Sequence, residues 1–130
     1  MEGWGLTNDG KNLIASNGSS NLYFYEPATF RLLRVQGVTE NGAVVPNINE
    51  LEYVNGFIYA NQWQYNYILK IKPESGEVVA KIDLTDLVEK TKAKEPRSEV
   101  LNGIAYNTAT NKFYVTGKYW PEIYEIQFAH

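Results

Sequence analysis

Short aromatic and β-branched runs, separated by turn dipeptides, recur along this chain and constrain its fold more than any other feature. Such runs are typical of strands because aromatic and β-branched side chains pack well on a pleated surface. Asn55-Gly56 marks the clearest turn, since strand-like runs flank it and both residues tolerate the positive φ of a type I′ turn. The pattern predicts an all-β protein. The predicted strands lie near 4–8, 11–16, 21–26, 30–36, 49–54, 57–63, 66–72, 77–83, 101–106, 111–117 and 121–128.

The same features also recur at a longer spacing. Pro27 follows an aromatic-aliphatic run, and Pro73 follows another one 46 residues later. Asn17 and Asn61 end similar runs that are 44 residues apart. Repeats of four short strands every roughly 40–50 residues are typical of β-propeller blades, which are four-stranded antiparallel sheets. We therefore expect residues 1–130 to form a single partial β-propeller domain.

The predicted blades cover residues 1–46, 47–84 and 99–130, and the last blade is one strand short. Residues 85–98 form the only stretch with helical composition, in which we expect Thr85 to cap a helix and Pro96 to stop it. Three blades are fewer than the roughly four to eight that close a ring. Because an open blade edge invites further pairing, we expect a homo-oligomer or completion by missing blades.

The composition excludes several kinds of site. The chain has no Cys, and His130 is its only His, so thiolate zinc sites, Cys nucleophiles and Ser-His-Asp triads are excluded, and we expect no metal and no cofactor. The formal net charge of −3 argues against a nucleic-acid partner, which needs clustered Lys and Arg. No apolar run is long enough to span a bilayer, so we expect no membrane association. The residues after Met1 lack a secretion-signal pattern, which leaves the compartment open.

Polar and aromatic residues stand where the first strand of each predicted blade begins. In a propeller these first strands line the central channel, so their starts would converge on one site. Trp63 lies between the polar residues Gln62 and Gln64, so its sequence neighbours offer little apolar surface to cover its ring, and it is a candidate for an exposed aromatic wall. Lys118 follows an inner strand, and an amine at that place can stabilise an oxyanion. The candidate site residues are Glu2, Trp4, Asn49, Glu50, Trp63, Asn102 and Lys118.

Each candidate also has a structural interpretation that the residues alone leave open. Asn and Glu side chains at strand starts often accept hydrogen bonds from neighbouring backbone donors. A Trp in a small β protein more often packs than contacts a ligand, and we expect Trp120, which precedes Pro121, to pack between blades. A solvated side chain is the ordinary expectation for Lys118.

Five motifs at these inner strands distinguish the sequence from a general β protein. They are Glu2-Gly3-Trp4-Gly5-Leu6-Thr7, Asn49-Glu50-Leu51-Glu52-Tyr53-Val54-Asn55-Gly56, Tyr59-Ala60-Asn61-Gln62-Trp63-Gln64, Leu101-Asn102-Gly103-Ile104-Ala105 and Thr116-Gly117-Lys118-Tyr119-Trp120-Pro121. Together they closely resemble the glutamine cyclotransferase family, the plant and bacterial type of glutaminyl-peptide cyclotransferase. The resemblance implies a five-bladed propeller. It also implies a metal-independent acyl transfer in which N-terminal glutaminyl residues of peptides cyclise to pyroglutamate and release ammonia.

The resemblance implies roles for the candidate residues as well. Trp4 and Trp63 would form aromatic walls around the N-terminal residue of the substrate. Asn49 would hydrogen-bond the substrate amide or its oxyanion, and Lys118 would stabilise charge, so these two are the candidate catalytic residues. Glu50 and Asn102 are further substrate-binding candidates by their positions.

The sequence departs from the family pattern at the family's N-terminal part. In the family, that part carries a Gln-Gly motif and a Gly-Glu-Gly motif on two inner strands, and the resemblance implies that the glutamate of the second motif shuttles the proton. Nothing in this chain clearly replaces that glutamate, and Glu2 is a hypothetical stand-in acid. The resemblance therefore implies weak catalysis or none from these 130 residues alone.

Two other functions stay open at this point. One is a non-catalytic propeller unit that binds peptide or amide ligands in an aromatic pocket. The other is a self-assembling half-propeller, in which two copies of three blades would close a six-bladed ring.

Overall fold

A four-stranded antiparallel sheet opens the part of the chain that the computed structural model describes, residues 2–130. Its strands are hydrogen-bonded in chain order: β1 (Gly5–Asn8), β2 (Leu13–Ser16), β3 (Asn21–Tyr25) and β4 (Leu32–Gly37). A small separate hairpin follows, made of β5 (Thr39–Glu40) and β6 (Ala43–Val44).

Two further sheets repeat the same antiparallel order. The second sheet contains β7 (Ile48–Val54), β8 (Phe57–Gln62), β9 (Tyr67–Ile71) and β10 (Val78–Asp83). The helix α1 (Thr85–Lys94) comes next. The third sheet has three strands, β11 (Leu101–Asn107), β12 (Lys112–Gly117) and β13 (Tyr124–Ile126). The all-β prediction is confirmed, and each of the predicted strands overlaps an observed one.

The Asn55-Gly56 turn has the predicted geometry. Val54 pairs with Phe57 across a two-residue loop. Asn55 has φ of 49° and Gly56 has φ of 87°, and a type I′ turn requires positive φ at both positions. This short loop fixes the register between β7 and β8.

The predicted capping role of Thr85 is wrong. The helix begins at Thr85 itself, and Leu84 occupies the N-cap position without a capping side chain. The backbone N–H and the hydroxyl of Thr85 both donate to Oδ1 of Asp83, at 2.9 and 2.6 Å. Asp83, one residue before the N-cap, thus accepts the hydrogen bonds of the N–H and hydroxyl donors at the start of the helix. At the other end Glu95 is extended, as expected of a residue that precedes a proline.

Alternate side chains of the second sheet enter two different hydrophobic cores. Leu51 and Leu69 belong to the cluster shared with Ile14 and Leu22 of the first sheet. Tyr59 and Ile68 belong to the cluster shared with the third sheet and the helix, which includes Phe113. The three sheets therefore stack face to face in chain order, with β7, β8 and β9 of the second sheet largely buried on both faces and β10 more exposed. Within the described residues, no helix is long and apolar enough to cross a membrane.

The first strands of the three sheets run side by side. The backbone N–H of Tyr53 in β7 donates to Oγ1 of Thr7 in β1 at 3.1 Å, and Tyr106 N–H in β11 donates to Oε2 of Glu52 at 3.2 Å. A Cβ on Gly5 would lie 2.2 Å from the carbonyl oxygen of Asn49, so β1 approaches β7 this closely only because residue 5 is glycine. This proximity brings the starts of β1, β7 and β11 to one place.

Candidate active site

A cavity of about 440 Å³ lies where the three sheets meet. All six residues that line it are sequence-predicted candidates: Glu2, Trp4, Asn49, Trp63, Asn102 and Lys118. Each sheet contributes to it. Glu2 and Trp4 precede β1, Asn49 and Asn102 lie near the starts of β7 and β11, and Trp63 and Lys118 directly follow β8 and β12. The structure therefore brings these six side chains together from distant parts of the sequence, and their chemical roles stay predictions.

The structure does not bring Glu50 into this cavity. Its carboxylate accepts hydrogen bonds from the backbone N–H groups of Leu51, at 3.1 Å, and of Ile104, at 3.4 Å. Glu50 contributes instead to an adjoining, more open depression beside Gly5 and Leu6. These bonds fit the structural interpretation, in which a carboxylate accepts from neighbouring backbone donors, and substrate contact by Glu50 stays a prediction.

Two tryptophans form one wall of the cavity. The rings of Trp4 and Trp63 meet edge to face, with centroids 5.9 Å apart and planes inclined by 78°. The Trp4 ring rests on Gly18, where an added Cβ would stand 2.6 Å from the indole. Backbone N–H groups hold both residues in place, since Trp4 donates to Ser16 at 3.0 Å and Trp63 donates to Asn47 at 2.8 Å. Both indoles are half-buried, so each keeps an aromatic surface open toward the cavity.

Two asparagine side chains supply unpaired amide groups. Asn49 is 7% exposed, and its side chain makes no hydrogen bond to any other residue in the described range 2–130. Oδ1 of Asn102 is buried and, within the same residues, also has no partner. A buried polar atom without a partner costs free energy, which applies to Oδ1 of Asn102, and the side chain of Asn49 lines the cavity with its amide group free to bond a polar ligand.

Lys118 supplies a positive charge whose backbone is tightly held. Its N–H donates to the carbonyl oxygen of Val100 at 3.0 Å, and its carbonyl accepts from Glu99 N–H at 2.8 Å. The side chain is exposed, and no carboxylate of residues 2–130 forms an ion pair with it. A fixed backbone with a free ammonium group is an arrangement that can stabilise developing negative charge.

Sequence reasoning did not identify two buried side chains that position this site. Asn61 is 1% exposed, and its Oδ1 accepts the N–H of Gly103 at 2.9 Å, which ties β8 to the start of β11 next to Asn102. Gln62 donates through Nε2 to the Pro46 carbonyl at 2.8 Å, and its Oε1 accepts the Tyr67 hydroxyl at 2.8 Å. The sequence signal that could have identified them is the pair of consecutive polar residues Asn61 and Gln62 at the end of the otherwise apolar strand β8.

Two carboxylates in and near the cavity, Glu2 and Glu52, differ in their exposure to solvent. Glu2 lines the cavity itself and is exposed. Glu52 lies between β7 and β11, where burial raises the pKa of its carboxyl group, and hydrogen bonds from Tyr106 N–H and Thr7 partly oppose this. In the described part of the chain, no three His, Asp or Glu side chains are grouped so that they could hold a metal ion.

Comparisons with known proteins place this geometry in context. The Arabidopsis thaliana protein named glutaminyl-peptide cyclotransferase is 40% identical over 127 residues, which cover 97% of this chain and 40% of that protein. The crystal structure of Myxococcus xanthus glutaminyl cyclase matches with a TM-score of 0.92 and 40% identity, over 98% of this chain and 55% of that one. The chain therefore spans about half or less of the length of these two relatives.

A third likeness concerns the fold alone. The computationally designed Ika8 protein matches with a TM-score of 0.51 and 8% identity, over 95% of this chain and 36% of that chain. The sequence model described as glutamine cyclotransferase matches residues 1–128, which is almost the whole chain. Together with the 40% identity to the Arabidopsis and Myxococcus proteins, this match shows that the chain belongs to the glutamine cyclotransferase family.

Proposed function

We propose that this chain forms the substrate-binding side of a glutaminyl-peptide cyclotransferase site. The observation that carries the proposal is the single cavity into which six predicted residues converge from three sheets. In the reaction, the neutral α-amine of an N-terminal glutamine attacks the side-chain carboxamide carbon. The attacking amine then loses one proton, the C–N bond to the amide nitrogen breaks, and that nitrogen gains one proton and leaves as ammonia. The products are a pyroglutamyl peptide and ammonia.

The proposed architecture around the site is part of a β-propeller, with three of five blades. Three observations support it: sheets of antiparallel strands in chain order, face-to-face stacking of successive sheets, and neighbouring first strands. In a propeller the first strands surround the central axis. The cavity at the starts of β1, β7 and β11 then lies at one mouth of the central channel.

Trp4 and Trp63 would hold the N-terminal residue of the substrate between aromatic surfaces. Their edge-to-face arrangement gives two flat surfaces at nearly a right angle, which can enclose a side chain on two sides. A tight apolar enclosure favours the folded conformation in which the amine lies close to the carboxamide carbon. The indoles would therefore contribute to both binding and ring closure.

Asn49 and Lys118 would act on the carboxamide oxygen. As the tetrahedral intermediate forms, this oxygen becomes negatively charged, and preorganised donors that meet it lower the barrier. Asn49 offers amide N–H groups that have no partner in the described chain, and Lys118 offers an unpaired ammonium group. Asn102 would bond the amide groups of the bound residue from the third sheet.

The supply of protons limits catalysis by this chain alone. Glu2 is the one carboxylate among the described residues that line the cavity, and Glu50 is already bonded to backbone N–H groups. We therefore propose Glu2 as the stand-in acid and expect slow turnover. The same observation favours a second candidate function, a non-catalytic unit that binds N-terminal glutaminyl peptides.

Ammonia release from glutaminyl-glycine amide, measured with a coupled assay, tests both functions. Slow release that disappears in Glu2→Gln supports cyclisation with Glu2 as the acid, whereas release that survives this change contradicts that role. Saturable binding without ammonia supports the non-catalytic function. If the dipeptide amide neither binds nor releases ammonia, the proposed function is wrong.

We further propose that, where no further blade packs against the first sheet, a second copy of the chain covers the outer face of that sheet. The strand register places Leu6, Ala15, Tyr23 and Val35 in one row across that face, and Leu6 remains 60% exposed. The outer face of the third sheet is polar instead and carries an ion pair of Lys112 and Glu125 at 3.4 Å. In a two-fold dimer, the apolar outer face of one first sheet would contact the same face of the second copy. This fits the surface chemistry better than a closed ring, in which the apolar face of the first sheet would contact the polar face of the third sheet.

The mass of the chain in solution tests this association. We expect a dimer in sedimentation equilibrium and a shift to monomer in Val35→Lys, which places a charge in the apolar row. Val44→Lys is the matched control, because Val44 is also exposed but lies on β6, outside that row. A well-folded wild-type monomer contradicts the proposal.

A further inference from the structure

A second cavity, of about 680 Å³, lies beside the first and has no role in the proposed chemistry. Its walls include Pro96, Tyr119 and Trp120. The segment 118–120 separates the two cavities, because Lys118 lines the first and Tyr119 and Trp120 line the second. Because Lys118 and Tyr119 are consecutive residues, the two cavities lie on either side of one short segment, and a peptide bound in the first cavity can extend toward the second.

The shared wall is held rigidly. Trp120 N–H donates to the carbonyl oxygen of Gly117 at 3.2 Å, which closes a four-residue turn around Lys118. The Trp120 ring covers Gly117 so closely that an added Cβ would lie 2.4 Å from the indole. Nε1 of Trp120 donates to the Glu99 carbonyl at 2.8 Å, and Tyr124 meets the ring edge to face at 6.0 Å. A ligand would therefore meet a preformed aromatic surface.

Tyr119 is the unusual member of this wall. Its φ is 60°, in the left-handed region that costs a residue with a side chain free energy. Its side chain is 76% exposed, although the same turn would form more easily with glycine or asparagine there. The chain thus maintains a strained conformation that presents a large aromatic ring at the rim of the cavity.

Three charged residues line the second cavity: Glu95 and Arg97, which pair with each other, and Glu99, which is exposed. Arg97 donates from Nη2 to Oε1 of Glu95 at 2.7 Å, and hydrogen bonds from its side chain lower the pKa of that carboxyl group. Glu95 is therefore ionised and already paired at neutral pH. Tyr119 and Trp120 give the same cavity a flat aromatic surface, on which an aromatic ring can stack.

We propose that this second cavity binds the side chain of the residue that follows the N-terminal glutamine, with preference for an aromatic ring. This inference rests on the proposed function, because the glutamine must occupy the first cavity. Stacking of a ring on Tyr119 and Trp120 predicts that an aromatic second residue strengthens binding about three- to tenfold over glycine.

Calorimetric dissociation constants for three peptides test the inference. Gln-Phe-Gly-amide should bind the wild-type chain about three- to tenfold more tightly than Gln-Gly-Gly-amide. In Tyr119→Gly, which suits the positive φ and removes one of the two stacking rings, the ratio of the two constants should fall toward 1. Tyr65→Ala is the matched control, because Tyr65 is an exposed aromatic residue that lines neither cavity, and it should leave the ratio unchanged.

The outcomes separate this inference from the proposed function. A ratio near 1 in the wild type, with both peptides bound, overturns the aromatic subsite and leaves the proposed function intact. Tighter binding of Gln-Arg-Gly-amide than of the phenylalanine peptide also overturns it. If no peptide binds, the proposed function fails and the inference fails with it. Trp63→Ala should weaken the binding of all three peptides by a similar factor, so that the ratios of their dissociation constants stay as in the wild type.

Discussion

The indole of Trp4 lies directly on Gly18, so that a Cβ at residue 18 would stand 2.6 Å from the ring. Gly18 also has φ of 84°, a conformation that residues with a side chain rarely adopt. The glycine thus serves both the turn before β3 and the placement of one wall of the candidate site. This contact connects the local backbone to the binding of a substrate.

Gly18→Ala should destabilise the chain and also weaken binding of glutaminyl peptides. Gly10→Ala is a matched control, because Gly10 has nearly the same φ, 86°, and no atom lies within 4 Å of its added Cβ. Both variants should lose about 1–3 kcal/mol of unfolding free energy from backbone strain, measured by urea denaturation. Only Gly18→Ala should lower peptide affinity, and equal affinity losses would contradict the role given to this contact.

Trp63→Ala should weaken the binding of glutaminyl-glycine amide about tenfold or more, since a half-buried aromatic wall is lost. Titration calorimetry gives the dissociation constant directly. Tyr65→Ala removes an exposed aromatic side chain two residues away that does not line the cavity, and it should leave affinity unchanged. An unchanged affinity in Trp63→Ala would show that the indole only packs.

Lys118→Met should weaken the binding of a glutamate-initiated peptide more than that of its glutamine counterpart. The carboxylate of the bound glutamate places a negative charge where the oxyanion would form, and Lys118 is the cation that lines this cavity. Because the lysine is exposed, the expected difference is about two- to fivefold at low salt and smaller at high salt. Lys92→Met, on the exposed side of the helix, should change neither affinity, and equal losses for both peptides would contradict a charge role.

Glu52→Gln should remove a pH dependence of stability. Burial, the largest cause, raises the pKa of Glu52 above its ordinary value of 4.5, so the folded state binds the proton more tightly than the unfolded state does. This contribution to stability is fully present below 4.5 and is lost as pH rises through the higher folded pKa. Urea denaturation from pH 4 to 7 should therefore show the wild type losing stability relative to Glu52→Gln, and a constant difference would contradict the shift.

Local signals in the sequence predicted the strands well. They did not predict the helix cap, where two nearby side chains could each supply the hydrogen bonds. Asn55-Gly56 specifies its hairpin within two residues, so the turn was predictable. Thr85 carries a capping side chain, but Asp83 lies two residues upstream and accepts its hydrogen bonds instead. The β5–β6 hairpin was not predicted, although Asn41-Gly42 marks its turn, because strands of two residues carry no periodic pattern.

The candidate site was predicted from the positions of the motifs. Glu50 is the one candidate that does not line the first cavity, and the reason is geometric. The pairing of β7 with β8 shifts between Ile48 and Leu51, so the side-chain alternation around Glu50 cannot be read from the sequence. Glu50 turns to the backbone of β11, whereas Asn49 faces the cavity. The second cavity was not predicted either, because it forms between two segments distant in sequence, 95–99 and 119–120.

The most direct test of the account is a titration of the three indole N–H signals with glutaminyl-glycine amide, observed by ¹H–¹⁵N nuclear magnetic resonance. The dipeptide fills the first cavity and has no side chain for the second. We predict saturable shifts for Trp4 and Trp63, while the signal of Trp120, bonded to the Glu99 carbonyl, stays in place. Unmoved signals for Trp4 and Trp63, or equal shifts for all three, would contradict a glutamine-binding site between these two tryptophans.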